Sequence, residues 1–129
     1  MMGCRRFYLI DMDKVEMGNV GRQILFSNED IGKFKVEVVK ERIRSKNKVQ
    51  YPHTRNSIQC FCHTGSFHSA DMQVLTQIDI LVGCVDNIET RKELNSFACL
   101  YSKIYIDGGS TGFGGQVQLV IPTVQYFLQ

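Results

Sequence analysis

Two aspartates follow apolar segments of this chain in a way that is typical of nucleotide sites. Asp11 ends the short apolar and aromatic segment 6–10, and Asp86 ends the apolar run 80–85 of the expected strand 78–85. If both segments are strands of one parallel sheet, the two carboxylates lie at its carboxyl edge, where α/β proteins bind ligands. Asp11 would then suit ribose hydroxyls, and Asp86 a magnesium ion that bridges phosphates. The alternative is that each aspartate only caps the segment that follows it.

The glycine-rich stretch 108–115 does not have the context of a phosphate-binding loop. A dinucleotide fingerprint follows a strand and opens a helix, whose first amides hold the phosphate. Residues 116–122 are strand-like instead, so the stretch predicts a turn between two strands or a backbone surface for a partner. A fingerprint would also be expected about 20 residues before a ribose-binding acid, and only ten residues precede Asp11.

Two cysteines and two histidines lie close enough in the sequence to consider a zinc site. Cys60, Cys62, His63 and His68 are suitable ligand types, but their spacing is not a common zinc-binding pattern. A polar loop is the interpretation that we favour. The chain has five cysteines, an odd number at irregular spacing, which favours reduced thiols.

Composition predicts an ordinary globular domain. The 129 residues are 43% hydrophobic and 22% charged, with 15 basic and 13 acidic side chains, a balance too even for a nucleic-acid binder. No apolar run approaches the length of a membrane span, and residues 1–8 contain no apolar stretch of the kind found in secretory signals. We therefore expect a cytoplasmic or nuclear protein that binds neither nucleic acid nor membranes.

The alternation of apolar and polar segments predicts an α/β fold with a largely parallel sheet and flanking helices. We expect strands at 6–10, 49–51, 78–85, 103–106 and 116–121. We expect a short helical turn within 11–26 and helices at 28–45 and 88–101, the first of them capped by Asn28. Residues 69–71 are expected to cap a further short helix that runs through Thr76. The stretch 52–65 is expected to be a loop. The strand 78–85, which is β-branched and apolar over most of its length, is expected to be covered on both faces.

Four motifs occur in order along most of the chain. They are D-x-D followed by N-x-x-R-Q at 11–23, I-G-x-x-K at 31–35, D-N-x-x-x-R-x-x-x-N at 86–95, and a glycine turn before a strand at 106–117. Together they resemble the ubiquitin-activating and ubiquitin-like-activating enzymes and their bacterial sulfur-carrier adenylyltransferase relatives, which share the ThiF-type adenylation fold. The D-M-D-K start and the D-G-G-x-x-G-F turn look more like the eukaryotic activators, of the catalytic-subunit type such as the SUMO activator, with the ubiquitin and NEDD8 activators close behind.

This resemblance implies adenylation of the C-terminal carboxylate of a ubiquitin-like modifier, with ATP and Mg²⁺ as cofactors. The carboxylate attacks the α-phosphate, so fixed cations must offset the charge that builds on the phosphate oxygens. Because the carboxylate is already ionised, positioning and charge suffice and no side chain need act as a base. The implied partners are the modifier, a second adenylation-fold subunit or half, and a conjugating enzyme downstream.

The resemblance also implies a role for individual residues. Asp11 would hold the ribose, Asn19, Arg22 and Lys35 would contact phosphates, and Asp86 would bind magnesium. Gln23 and Asn87 are further expected nucleotide-binding residues, and catalysis is expected to depend on Arg22, Lys35 and Asp86. Arg91 is expected to be a structural partner of the sheet edge.

The sequence departs from the family at three points. It has no first strand with a glycine-rich turn, no C-x-x-C pair after the last strand, and no cysteine that matches the thioester cysteine. Residues 1–129 therefore resemble a partial, Rossmann-like adenylation domain. A sheet without its first strand exposes an unpaired edge, so we expect the isolated chain to be marginally stable or to depend on a partner.

The alternative function is a catalytically inactive adenylation-fold partner module. An inactive module need not retain the expected site residues, so their presence argues against this alternative; they are Asp11, Arg22, Lys35 and Asp86.

Overall fold

Parallel strand pairs with helices packed on them are the basic arrangement in this chain. The computed structural model describes residues 4–50, 58–111 and 114–122, apart from the side chains of 47–50 and 111. It divides into two units, Met1–Ala70 and Asp71–Gln129, each with its own hydrogen-bonded group of strands. The predicted α/β class is confirmed, while the extent of the domain, 1–129, stays a prediction. No helix in the described parts is both long enough and apolar enough to cross a membrane.

The first unit is built on two parallel strands. β1 (Arg6–Ile10) has the predicted boundaries and pairs in parallel with β2 (Gln59–His63). The prediction of a loop over 52–65 is therefore wrong for residues 59–63, and residues 52–57 lie outside the described part. The segment Gln-Cys-Phe-Cys-His is polar at both ends, so its own pattern does not predict a strand. Its hydrogen bonding to the apolar β1 makes it one.

The helices of the first unit begin at different places from those predicted. α1 (Met17–Val20) is the short turn expected within 11–26. The helix predicted at 28–45 is divided into a 3₁₀ turn (Asn28–Asp30) and α2 (Lys35–Gln50). Gly32 separates them with a φ of 87°, a left-handed conformation that glycine adopts without steric cost.

α2 supplies most of the helical packing in the first unit. It buries Val36 and Val38 and packs on β1 and β2. Because α2 continues to Gln50, the strand predicted at 49–51 is wrong for its first two residues, and Tyr51 lies outside the described part.

The second unit places one helix against a three-stranded sheet. β3 (Ile80–Gly83) is parallel to β4 (Ile104–Thr111), which pairs in antiparallel fashion with β5 (Gly114–Val120). α4 (Ile88–Leu100) packs on β3 and β4 and buries Leu94, Phe97 and Ala98. The glycine-rich stretch joins two strands, as predicted, but most of it lies within the strands themselves.

A short helix opens the second unit. α3 (Met72–Leu75) begins where predicted, because the Asp71 side chain accepts a hydrogen bond from the Gln73 N–H at 2.8 Å. A carboxylate in that position satisfies one of the amides that the first turn of a helix leaves unpaired.

β3 is covered on one face only. Leu81 is buried, whereas Ile80 and Val82 are 47% and 60% exposed. The expectation that this strand is covered on both faces is therefore wrong for the chain by itself. The exposed side continues across the sheet with Ile104, Val117 and Leu119. The expectation of marginal stability depends on apolar surface of this kind and stays a prediction.

Gly83 leaves room for the ring of Tyr105. A Cβ at residue 83 would lie 2.6 Å from Tyr105 Oη and 2.9 Å from its Cε2. We expect Gly83→Ala to lower the free energy of unfolding by about 1–3 kcal/mol, the usual cost of overpacking. Chemical denaturation of the whole chain measures it. Gly108→Ala is the matched control, because its nearest neighbours lie at 3.7 Å. Equal losses in the two variants would contradict the packing argument.

Candidate functional site

In the first unit, main-chain pairing connects the segment after β1 to the segment before α2. The N–H of Val15 donates to Lys33 O at 2.8 Å, and the N–H of Gly32 donates to Val15 O at 2.9 Å. A third bond, from Lys35 N to Asp13 O at 2.9 Å, extends the pairing to the first residue of α2. The D-x-D and I-G-x-x-K motifs, separate in the sequence, are therefore joined by a short antiparallel ladder around the bridge between Lys14 and Phe34.

This ladder brings Lys35 against Asp13. Lys35 Nζ lies 2.8 Å from Asp13 Oδ2, with side-chain exposures of 18% and 61%. An ammonium group has three N–H donors, so this ion pair leaves further donors on Lys35 for a second anion. The carboxylate of Asp13 holds the lysine in place, a role that sequence reasoning did not assign.

Asp11 lies at the carboxyl end of β1, as predicted. Its Oδ1 accepts a hydrogen bond from the Asp13 N–H at 2.8 Å, which closes a tight turn. Its own N–H donates to His63 O at 3.3 Å, at the end of β2. The second carboxylate oxygen, Oδ2, takes no part in these two bonds. The position and the chemistry of that oxygen suit a ribose hydroxyl.

Arg22 and Gln23 lie just after α1 and are exposed. Asn19 O accepts the N–H of Arg22 at 3.2 Å and of Gln23 at 2.8 Å. Asn19 is buried, and its Oδ1 accepts the Glu16 N–H at 2.9 Å. Its Nδ2 is therefore the end that can donate to a phosphate. Within the described residues, no acidic side chain lies at ion-pair distance from the exposed Arg22.

Asp30 is a buried carboxylate that sequence reasoning missed. It accepts hydrogen bonds from Ser27 N at 2.9 Å, Ser27 Oγ at 2.8 Å, Arg42 Nη2 at 3.0 Å and Lys33 Nζ at 3.3 Å. These donors, the Ser27 main chain foremost, hold the pKa of Asp30 well below its usual range. They fix the turn that precedes the Gly32 break. The available signal was the Ser-x-x-Asp pattern at 27–30, which is typical of a helix start.

In the second unit, Asp86 and Asn87 lie between β3 and α4. Asn87 is the N-cap of α4, and its Oδ1 accepts the Thr90 N–H at 2.8 Å. Asp86 is exposed just before that N-terminus, where the helix dipole favours a negative charge. Magnesium held with ATP takes one or two carboxylates and completes its shell with phosphates and water. An exposed carboxylate at a strand end fits that donor role. The amide oxygen of Asn87 is already used by the cap.

The residues considered as zinc ligands are arranged otherwise. Cys60 is buried and Cys62 is half-buried on alternate positions of β2, and burial raises the pKa of the Cys60 thiol. His63 Nε2 lies 2.9 Å from Ser69 Oγ. Over residues 4–50, 58–111 and 114–122, no three side chains of His, Cys, Asp or Glu converge on a possible metal position.

Arg91 connects the sheet to the turn before α4, the structural role predicted for it. Its Nη2 donates to Val85 O at 2.8 Å, and its Nε lies 3.1 Å from Asp107 Oδ1. The Tyr105 hydroxyl donates to the same Asp107 oxygen at 3.0 Å. Burial, and then the bond to Asp107, raises the pKa of Tyr105 to about 12. Sequence reasoning gave neither Tyr105 nor Asp107 a role.

The predicted site residues fall into two groups. The first unit holds those assigned to the ribose and the phosphates, clustered along the ladder, α1 and the start of α2. The second unit holds those assigned to magnesium, at the turn between β3 and α4. Each group lies where a strand ends and a helix begins.

Replacement of Asp30 by Asn should make stability less sensitive to acid. Because the pKa of Asp30 in the folded chain lies below its ordinary value of 3.8, the ionised carboxylate stabilises the fold above that value. The contribution is lost as the pH falls toward the folded-state pKa. Urea denaturation from neutral pH to about pH 2 should therefore show a shallower decline for Asp30→Asn, which starts from a lower stability. Asp79→Asn, at an exposed position, should keep the wild-type slope. Identical slopes in all three proteins would contradict the argument.

Several larger proteins are similar to this chain along most of its length. The chain is 28% identical to the NEDD8-activating enzyme E1 catalytic subunit of Arabidopsis thaliana, over 96% of this chain and 28% of that protein. It is 31% identical to the sulfur carrier protein ThiS adenylyltransferase of Escherichia coli (strain K12), over 93% of this chain and 45% of that protein. The crystal structure of E. coli MccB with ATP matches with a TM-score of 0.72 and 26% identity, over 92% of this chain and 34% of the other.

The chain thus spans less than half the length of each of these relatives. The mixed α/β fold, with parallel strands and flanking helices, is one that it shares with MccB. The model of the ThiF family matches residues 1–128. The resemblance seen in the four sequence motifs is confirmed, and this chain belongs to the ThiF family.

Proposed function

We propose that this chain takes part in the ATP-dependent adenylation of the C-terminal carboxylate of a small protein of the ubiquitin-like or sulfur-carrier type. Membership of the ThiF family supports this proposal. So do the names of its relatives, among them a SUMO-activating enzyme subunit 2 of Dictyostelium discoideum at 25% identity, over 93% of this chain and 17% of that protein. The observation that carries the proposal is the ladder that joins the D-x-D and I-G-x-x-K motifs and holds Lys35 on Asp13.

A ubiquitin-like modifier is the substrate that we favour. The D-M-D-K start at 11–14 and the D-G-G-x-x-G-F turn at 107–113 resemble the eukaryotic activators more than the bacterial adenylyltransferases. On this proposal the chain is part of a catalytic subunit of the SUMO or NEDD8 type, or of a ubiquitin activator. Its partners would be the modifier, a second adenylation-fold subunit, and a conjugating enzyme that accepts the activated modifier. Its place would be the cytoplasm or the nucleus.

The reaction needs charge compensation at the nucleotide rather than a protein nucleophile. A carboxylate oxygen of the modifier bonds to the α-phosphorus of ATP, the bond from that phosphorus to the bridging oxygen breaks, and pyrophosphate leaves with the electron pair. Negative charge spreads over the phosphate oxygens in the transition state, so preformed cations lower the barrier. Arg22 is suited to this task because its guanidinium is exposed, permanently charged and has several donors.

Lys35 would act as a second cation whose position is set in advance. Its ammonium is held by Asp13 before any nucleotide arrives, so little side-chain entropy remains to be lost when a phosphate binds. Asp11 would accept a ribose hydroxyl. Asn19 would donate from Nδ2, and Gln23 would lie beside Arg22 on the same turn.

Asp86 would supply the protein ligand for Mg²⁺, and Asn87 would orient it by capping α4. When bound with ATP, the ion neutralises phosphate charge and favours departure of pyrophosphate. The residues of this chain provide one carboxylate for that ion, in keeping with the way magnesium is held together with nucleotides.

Replacement of Arg22 by Ala should weaken the binding of Mg·ATP by about 10- to 100-fold, because a hydrogen bond to a charged group contributes about 1.5–3 kcal/mol. Isothermal titration of the whole chain, copurified with a partner if it requires one, measures the affinity. Arg44→Ala is the matched control, since Arg44 is an exposed arginine on α2 with no assigned role. Equal affinities for the two variants would contradict the role of Arg22.

ATP–pyrophosphate exchange separates the proposed activity from the alternative of an inactive partner module. Exchange that requires the modifier and falls in Arg22→Ala would support adenylation by this chain. Binding of Mg·ATP without any exchange, in the presence of modifier and partner, would favour the inactive module.

A further inference from the structure

The guanidinium of Arg91 links the interior of the second unit to the turn that carries Asp86. Its Nη2 donates to the carbonyl oxygen of Val85 at 2.8 Å. That carbonyl belongs to the same rigid peptide plane as the N–H of Asp86. The bond therefore fixes the plane from which the Asp86 side chain projects, one residue before the N-cap of α4.

Arg91 is itself fixed by a buried carboxylate. Asp107 is 5% exposed, and its Oδ1 lies 3.1 Å from Arg91 Nε in an ion pair. A carboxylate removed from water is costly unless it is paired. Tyr105, 2% exposed, donates to the same oxygen at 3.0 Å. Arg91 Nε is buried and has no hydrogen-bond partner among the described residues, so its contact with Asp107 is electrostatic. This contact gives the guanidinium a second attachment besides the bond to Val85 O.

The glycine of the D-G-G motif lies against this guanidinium. A Cβ at residue 109 would be 3.2 Å from Arg91 Nη2 and 3.5 Å from its Nη1, whereas a Cβ at residue 108 would meet nothing closer than 3.7 Å. The absence of a side chain at Gly109 therefore leaves room for the guanidinium of Arg91. The arginine of the D-N-x-x-x-R motif thus packs on the second glycine of the D-G-G motif and pairs with its aspartate.

We propose that Arg91 is a positioning residue for Asp86, held in place by Asp107 and admitted by Gly109. The inference rests on the proposed function, because the role of Asp86 as a magnesium ligand is part of it. It adds that the affinity for the ion depends on side chains that never touch it. Groups that orient a metal ligand commonly change metal affinity by about 10- to 100-fold when they are replaced.

The test separates the part of ATP binding that depends on magnesium from the part that does not. Isothermal titration measures the affinity of the whole chain for ATP with Mg²⁺ and again with a chelator, and the ratio of the two is the gain due to the ion. The variants are Asp86→Asn, Arg91→Ala and Gly109→Ala. The controls are Asp79→Asn, at the other end of β3, Lys92→Ala, beside Arg91 on α4, and Gly108→Ala.

We expect Asp86→Asn and Arg91→Ala to reduce the magnesium-dependent gain by about 10- to 100-fold. Arg91→Ala should leave magnesium-free binding unchanged. Gly109→Ala should reduce the gain less, in the same direction, and it provides the test if Arg91→Ala does not fold. The controls should keep the wild-type ratio. Circular dichroism verifies that each protein is folded at the temperature of the titration.

Different results would overturn different claims. If Asp86→Asn reduces the gain while Arg91→Ala and Gly109→Ala retain it, the positioning role of Arg91 is wrong and the proposed function stands. If Arg91→Ala and Gly109→Ala weaken binding equally with and without magnesium, their effect is on the fold alone, and the inference is again overturned. If Asp86→Asn retains the gain, the magnesium role of Asp86 is wrong, and the inference is overturned with it.

Discussion

Two carboxylates of this chain lie out of water, and much of each unit follows from the need to pair them. A buried carboxylate without donors is too costly to retain. In the first unit, Asp30 accepts hydrogen bonds from Ser27, Lys33 and Arg42, and these bonds fix the turn before α2. In the second unit, Asp107 forms an ion pair with Arg91 and accepts a hydrogen bond from Tyr105. Arg91 in turn donates to Val85 O, which fixes the turn before α4. Each pairing thus fixes the start of a helix. Lys35, a proposed nucleotide-site residue, is the first residue of α2, and Asp86 lies just before the N-cap of α4.

The fold could be predicted where local signals agree with the final packing. The strand 6–10, the cap at Asp71 and the helix from Ile88 follow from apolar runs and capping residues that tertiary contacts do not override. β2 could not be predicted, because its strand conformation depends on pairing with β1 rather than on its own pattern. The late start of α2 depends on the left-handed Gly32, a break that the sequence does not reveal. The cap predicted at Asn28 is also wrong, because Ser27 is the N-cap and Asn28 is the first residue of the 3₁₀ turn.

The site could be predicted at the level of motifs but not of contacts. The motifs place Asp11, Arg22 and Lys35 in one unit, at the end of β1, after α1 and at the start of α2, while their joint role at a nucleotide stays a prediction. The partners of these residues depend on segments distant in sequence, as with Asp13 and Lys35, 22 residues apart. The glycines are the clearest case. Their spacing predicts a turn, whereas in the structure Gly109 packs against the guanidinium of Arg91. Nothing in the spacing of glycines indicates which side chain they admit.

The proposed function depends on ATP binding by the residues around the start of α2 in the first unit and, separately, on a response of Asp86 in the second unit to Mg²⁺. The most direct test is an amide ¹H–¹⁵N NMR titration of the labelled whole chain, with its partner present if one is required. On this proposal, we expect the largest shifts on addition of Mg·ATP at residues 11–13, 19–23 and 35 and, only when the ion is present, at residues 85–87. Shifts confined to other residues, or an unchanged spectrum at cellular ATP concentrations, would contradict it.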